Sequence, residues 1–180
     1  RIASPLSYNS LREDLLTDDK TVKRWMLALV NSYVFFKVTP YFKSLKLAIS
    51  KASKYYFFDY PRVTNEGARL ENFVALSLLK EILYRNDVLG EDYSLHYLKN
   101  KTQHEIDFLI CKDKKPLVMI EVKAQDESPS PNFRYFEADL RKQNAALKKI
   151  QLVKELKRDY STKDGLLVTK LAPWLEKMDF

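Results

Sequence analysis

Four residues carry types and spacings that could do chemistry: Glu71, Asp107, Glu121 and Lys123. In EIDFLIC (105–111), Glu105, Asp107 and Leu109 alternate with Ile106, Phe108 and Ile110. In LVMIEVK (117–123), Leu117, Met119, Glu121 and Lys123 alternate with Val118, Ile120 and Val122. Period-two alternation predicts two strands, and the polar turn Lys112 to Pro116 predicts a hairpin. Pairing 111 with 117 makes partner numbers sum to 228, which sets Asp107 opposite Glu121 and Glu105 opposite Lys123. Directly opposed side chains have Cβ atoms about 4.5–5.5 Å apart. A one-residue slip would set charges against apolar residues, so the faces themselves favour an even sum.

Two opposed carboxylates repel each other and need a proton, a neighbouring cation or a bound metal. A hard divalent ion between Asp107 and Glu121, with Lys123 beside it, would activate water against a phosphodiester. The plainer alternative is a solvated hairpin face, with Glu105–Lys123 as an ordinary salt bridge. Glu71 weighs against it. On a helix over 67–84, at ~100° per residue, Glu71 shares the apolar stripe of Val74, Ala75, Leu78 and Ile82. A carboxylate aimed at the core is costly unless paired or metal-bound. Its partner is an arginine, a helix N-terminus, or the site of Asp107 and Glu121.

The elements that must position these groups follow from pattern. After the helix at 67–84 come strands at 93–99, 105–111 and 117–123, a loop at 124–132 holding Pro129 and Pro131, and a helix at 133–147. A strand at 149–155, a strand after Gly165 and a short helix opened by Pro173 complete the order α-β-β-β-α-β-β-α. The fold class is α/β (α+β), with a central mixed sheet flanked by helices. Upstream, a helix at 6–16 points Leu6, Leu11 and Leu15 inward. A second at 20–32 buries Val22, Trp25, Met26, Leu29 and Val30 and leaves Lys20, Lys23 and Arg24 outside. The β-formers YVFFKVTPYF and KYYFFD (54–59) follow, with Lys43, Lys46, Lys51 and Lys54 punctuating the stretch. Two helices and a basic β-ribbon predict a partial winged helix at 1–60, ahead of a second domain at 66–180.

Composition narrows the function classes. Three glycines, Gly67, Gly90 and Gly165, exclude a phosphate-binding loop or a dinucleotide fingerprint in this chain. One cysteine, Cys111, excludes an internal disulfide, and two histidines exclude a three-imidazole metal centre. No apolar run spans a membrane, and no secretory signal is visible. Residues 1–65 hold 11 Lys/Arg against 5 Asp/Glu, a net +6, whereas residues 66–180 hold 20 against 19, a net +1. A basic excess concentrated in the N-terminal third favours a polyanion such as DNA, with Lys20, Lys23 and Arg24 as candidate contacts. Plain solubility is the competing account.

The order helix glutamate, strand aspartate, then Glu-X-Lys on the next strand resembles the PD-(D/E)XK nuclease signature, matched by Glu71, Asp107, Glu121 and Lys123. In place of the signature's proline before the aspartate stand Glu105 and Ile106. The pieces TVKRWMLAL, PYF (40–42), KYYFFD, GARLENFVA, HEIDFLI and MIEVKA are similar to the uncharacterised C-terminal region of a family of prokaryotic AAA-type ATPases. The resemblance implies a winged helix followed by a restriction-endonuclease-like core. It also implies an ATPase module upstream, so that ATP would act only through that module, in a cytoplasmic protein of which this chain, starting at Arg1, is a fragment. It further implies Mg²⁺ or Mn²⁺ held by Asp107 and Glu121, with Glu71 on a second metal or a water ligand and Lys123 polarising the attacking water. The alternative is a non-catalytic regulatory or partner-binding module of the ATPase with a structural acid cluster. Among other residues, His104 faces away from Asp107 by alternation, Tyr55 to Phe58 read as core, and Gln143 is a weaker candidate for DNA or a metal-bound water.

Overall fold

The computed structural model describes residues 2–41, 52–178 and 180. Two short helices, α1 (Tyr8–Asp14) and α2 (Asp19–Asn31), precede strands β1 (Phe35–Pro40) and β2 (Lys54–Phe57). The long helix α3 (Glu66–Leu89) leads into β3 (Tyr93–Lys99), β4 (Glu105–Lys112) and β5 (Lys115–Lys123). Then come α4 (Arg134–Arg141), β6 (Lys148–Val153), β7 (Tyr160–Ser161), β8 (Leu166–Lys170) and α5 (Leu171–Lys177). From α3 onward this is the expected order with one addition, the two-residue β7. Among the described residues the strands form one eight-stranded mixed sheet in the order β2-β1-β3-β4-β5-β6-β8-β7. β1 runs antiparallel to β2 and parallel to β3, through Thr39↔His96 and Pro40↔Tyr97, so the sheet continues from the N-terminal segment into the rest of the chain.

Each face of the sheet has its own core. Val74, Ala75 and Leu78 of α3, with Leu171 and Trp174 of α5, pack on Phe108, Ile110, Ile120 and Ile150. Phe136 and Leu140 of α4 pack on Leu109, Cys111, Met119 and Val153 from the other side. Helix α3 is 24 residues long because both ends are capped: Asn65 accepts from Ala68 N at the start, and Gly90 adopts a left-handed φ of 69° at the end. It outruns the predicted 67–84 by more than a turn. α4 is shorter than 133–147, because the Asn144 side chain binds Ala146 N and Pro116 O instead of extending the helix.

Two expectations fail near the N-terminus. Only Val22 and Met26 of the predicted α2 stripe are fully buried, while Trp25 stays 46% and Leu29 36% exposed. The small cluster beneath α2 offers Tyr55 as its other buried member, so a single edge of the stripe finds cover. Leu15, predicted inward, is also exposed. Phe42 and the basic stretch Lys43, Lys46 and Lys51 lie outside the described residues.

The strand register around β4 departs from a regular ladder in two places. Phe108↔Ile120, Leu109↔Met119 and Ile110↔Val118 keep the sum of 228, but Cys111 pairs with Pro116 and Lys112 with Lys115. The connection is therefore a two-residue turn, with Asp113 and Lys114 at φ 50° and 62°, the backbone of a type I′ turn. The second departure is a bulge between β3 and β4. His96 pairs with Leu109 and Leu98 with Ile106, so Asp107 and Phe108 together oppose Tyr97. Ile106 consequently packs in the α4-side core and Phe108 in the α3-side core, not on one face together.

Helix α3 is tied to the sheet by two asparagines. Fully buried Asn72 accepts from Phe57 N and donates to Phe57 O, both at 2.8 Å, and Asn86 clasps Tyr93 in the same way. Asn72→Ala strands two backbone groups of strand β2. It is expected to lower unfolding stability by about 1–3 kcal/mol, read as a drop in the urea midpoint at unchanged slope.

Candidate functional site

The bulge decides how the acids are aimed. Glu105 and Asp107 turn toward the α3 face, where Lys54 of β2 meets them. Lys54 is fully buried. Its Nζ donates to Glu71 Oε1 at 2.9 Å, lies 2.6 Å from Glu105 Oε1 and 3.9 Å from Asp107 Oδ1, and sits over the Tyr97 ring. Tyr56, two residues along β2, donates its hydroxyl to Glu71 Oε1 at 2.7 Å. Glu105 Oε2 also pairs with Lys99 at 3.0 Å, so the predicted Glu105–Lys123 bridge is replaced. The extra residue of the bulge shifts Glu105 out of line with Lys123.

Glu121 belongs to the opposite face. Its strand neighbour Met119 packs in the α4-side core, and across the parallel ladder it pairs with buried Gln151. Lys123 Nζ lies 2.9 Å from Glu121 Oε1, and Ser130 Oγ donates to the same oxygen at 3.4 Å. Glu121 Oε2 is buried with no hydrogen-bond partner among the described residues. Asp107 stands between the two sets: its Oδ2 accepts from Val122 N at 2.8 Å, on the strand that carries Glu121 and Lys123.

The electrostatics follow. Burial, reinforced by the Asp107 charge, pushes the Glu71 carboxyl up to about 8 against the pull of Lys54 and Tyr56. Burial, again with Asp107 second, pushes Glu121 up to about 7 despite Lys123 and Ser130. Asp107 itself is raised, because burial outweighs Lys54 and the Val122 amide. Burial would lower the Lys54 ammonium, but Glu71, Asp107 and Glu105 together hold it above its ordinary range. The cluster therefore has more negative charge than its lysines neutralise comfortably.

Among the described residues no three His, Cys, Asp or Glu side chains form a group that could hold a metal. Glu71 Oε1 is engaged by Lys54 and Tyr56. Glu121 Oε2 is the one carboxylate oxygen of these acids that is buried without a hydrogen-bond partner among the described residues, on a carboxyl that also feels the Asp107 charge.

Residues 66–174 match the family described as Domain of unknown function (DUF4143). That match covers more than half of the chain. The chain belongs to the DUF4143 family. Residues 1–61 match a second family, described as Domain of unknown function (DUF8612). No curated protein matches. A chain of the refined half-complex from the tetradecameric assembly of Thermococcus gammatolerans McrB AAA+ hexamers with bound McrC is similar at 14% identity and a TM-score of 0.31. The similarity covers 89% of this chain and 44% of that one, and at that TM-score it carries no inference.

Within this DUF4143 chain, the other candidates fall away from the acids. Lys20, Lys23 and Arg24 are exposed on α2, with Lys23 paired to Asp19 at 2.7 Å. Gln143 accepts from Tyr41 at 2.8 Å. His104 stacks on Tyr135 with ring centroids 3.5 Å apart. Lys54 and Tyr56 were missed as site residues, although period two puts Lys54 on the inward face with Tyr56 and Phe58. A lysine on such a face requires buried acids.

Raised carboxyl groups give stability a definite pH slope. The folded state binds the Glu71 proton more tightly than the unfolded chain. Its contribution is therefore most favourable below the ordinary value of 4.5 and is lost as pH rises toward about 8. In chelator-treated protein the urea midpoint is expected to fall across that window, and Glu71→Gln and Glu121→Gln should each flatten the fall. A midpoint flat from acid to neutral pH in the wild type would contradict the assignment.

Proposed function

We propose that this domain is a DNA-associated, Mg²⁺-dependent phosphodiesterase module that works with an ATPase. The observation that carries the reading is the buried Glu121 oxygen without a partner among the described residues, on a carboxyl whose other oxygen lies 2.9 Å from the Lys123 ammonium and whose proton affinity the Asp107 charge raises. Asp107 and Glu121 would hold the ion. When bound, it would supply an activated water and offset charge on the phosphate. Lys123, a third exposed, reaches solvent beside Glu121 and can stabilise developing negative charge on a phosphoryl oxygen. Lys54 keeps Glu71 and Glu105 close to Asp107 without leaving them unpaired. The exposed Lys20 and Arg24 support contact with a DNA backbone, and the two-helix, two-strand order of the first segment supports a winged helix. The motif resemblance supports the ATPase association.

One observation favours a second reading. Lys54 occupies the centre of the acid cluster as a fully buried counter-ion. A domain that only scaffolds or regulates an ATPase would need nothing more from these residues.

Lys123→Ala separates the two. For a phosphodiesterase, Mn²⁺ binding by calorimetry should survive while metal-dependent cleavage of supercoiled or single-stranded DNA falls by about 10²-fold. Asp107→Ala should lose both. For a scaffold, Lys123→Ala lowers the melting temperature and there is no cleavage to lose. Wild-type protein that neither binds Mn²⁺ nor cleaves any of these substrates would overturn the proposal.

A further inference from the structure

A cleft of about 290 Å³ opens on the α3 side of the sheet, past the end of β5, lined by Tyr60, Arg69, Leu70, Phe73, Lys154 and Leu171 together with Glu66 and Ala124. It is joined to the site by the chain itself. Leu70 precedes Glu71, Ala124 follows Lys123, and Lys154 N donates to Lys123 O at 3.0 Å. Its floor is apolar. The Tyr60 and Phe73 rings stand 5.2 Å apart, tilted by 55°, and Leu70 and Leu171 close the rest. Its rim is cationic. Lys154 shares its charge with Glu66 at 3.3 Å and Glu155 at 3.9 Å, while Arg69 has no acid partner among the described residues and spends one N–H on Val63 O at 3.2 Å.

We infer that this cleft receives one unpaired nucleobase of the strand to be cut, with Arg69 on the adjoining phosphate. The inference rests on the phosphodiesterase reading and specifies its substrate class as single-stranded or end-frayed nucleic acid. The volume is near the lower bound of the ~300–1,000 Å³ typical of small-molecule sites, which suits one nucleotide. An aromatic wall offers stacking to any base, because every base has a π-face. A base held in a duplex cannot reach such a wall without being unstacked. The guanidinium fork matches phosphate geometry.

The test is a titration of wild-type protein, without divalent ions, into a single-stranded oligodeoxynucleotide carrying 2-aminopurine, and into the same sequence as a duplex. Stacking on Tyr60 should quench the fluorescence of the single strand, which should bind more tightly than the duplex. Tyr60→Leu and Arg69→Gln should each weaken single-strand binding by about tenfold with circular dichroism unchanged, and Tyr60→Leu should leave duplex binding alone. Tyr60→Phe should retain the quench. Equal single-strand affinity for wild type, Tyr60→Leu and Arg69→Gln would overturn the inference. So would binding of free deoxyadenosine monophosphate as tight as the oligomer, which would make the cleft a free-nucleotide site. Failure of the underlying reading looks different: quench and variant effects would persist while wild-type protein with Mg²⁺ leaves the strand intact.

Discussion

The structure of the site depends on one buried ammonium. Lys54 has no exposed surface, and moving such a group out of water costs several kcal/mol unless acids surround it. Here Glu71 comes from helix α3, and Glu105 and Asp107 come from strand β4. The ion pair thus joins the first segment of the chain to both the helix and the central strand. It explains why a glutamate sits on an apolar helix stripe. It also explains why β2, near residue 54, belongs to the same sheet as the family domain that begins at residue 66.

The bulge opposite Tyr97 gives this ion pair its shape. Without the extra residue, Glu105, Asp107 and Glu121 would line one hairpin face, as a regular ladder requires. With it, Glu105 and Asp107 turn to the α3 face while Glu121 and Lys123 stay with the α4 face. Asp107 alone couples the two, raising the proton affinity of Glu71 on one side and of Glu121 on the other. Lys54 and Lys99 serve the first side, and Lys123 serves Glu121 on the second.

Most of the element order was legible because the strands alternate cleanly and Pro173 marks a helix start, whereas the Gly90 end of α3 was not used and the helix was read short. The register at 108–110 was legible for the same reason, since only one pairing keeps charge with charge. The bulge was not, because it alters a count on one strand without altering the pattern on either. The exposure of Trp25 and Leu29 was not legible either: periodicity defines an apolar stripe but says nothing of how wide the opposing surface is. Lys54 was hidden by its company, reading as one more lysine in a basic stretch. Its alternation with Tyr56 and Phe58 was the available signal.

The central claim is that Lys54 satisfies the Glu71 side of the cluster and leaves Asp107 and Glu121 to bind the ion. It is tested most directly by a crystal of the domain grown with Mn²⁺ and measured for anomalous scattering. The account predicts a peak ligated by Asp107 and Glu121, with Lys54 still bonded to Glu71 and Glu105. A peak ligated by Glu71 with Lys54 displaced, or a fully ordered cluster with no peak at saturating Mn²⁺, would contradict it.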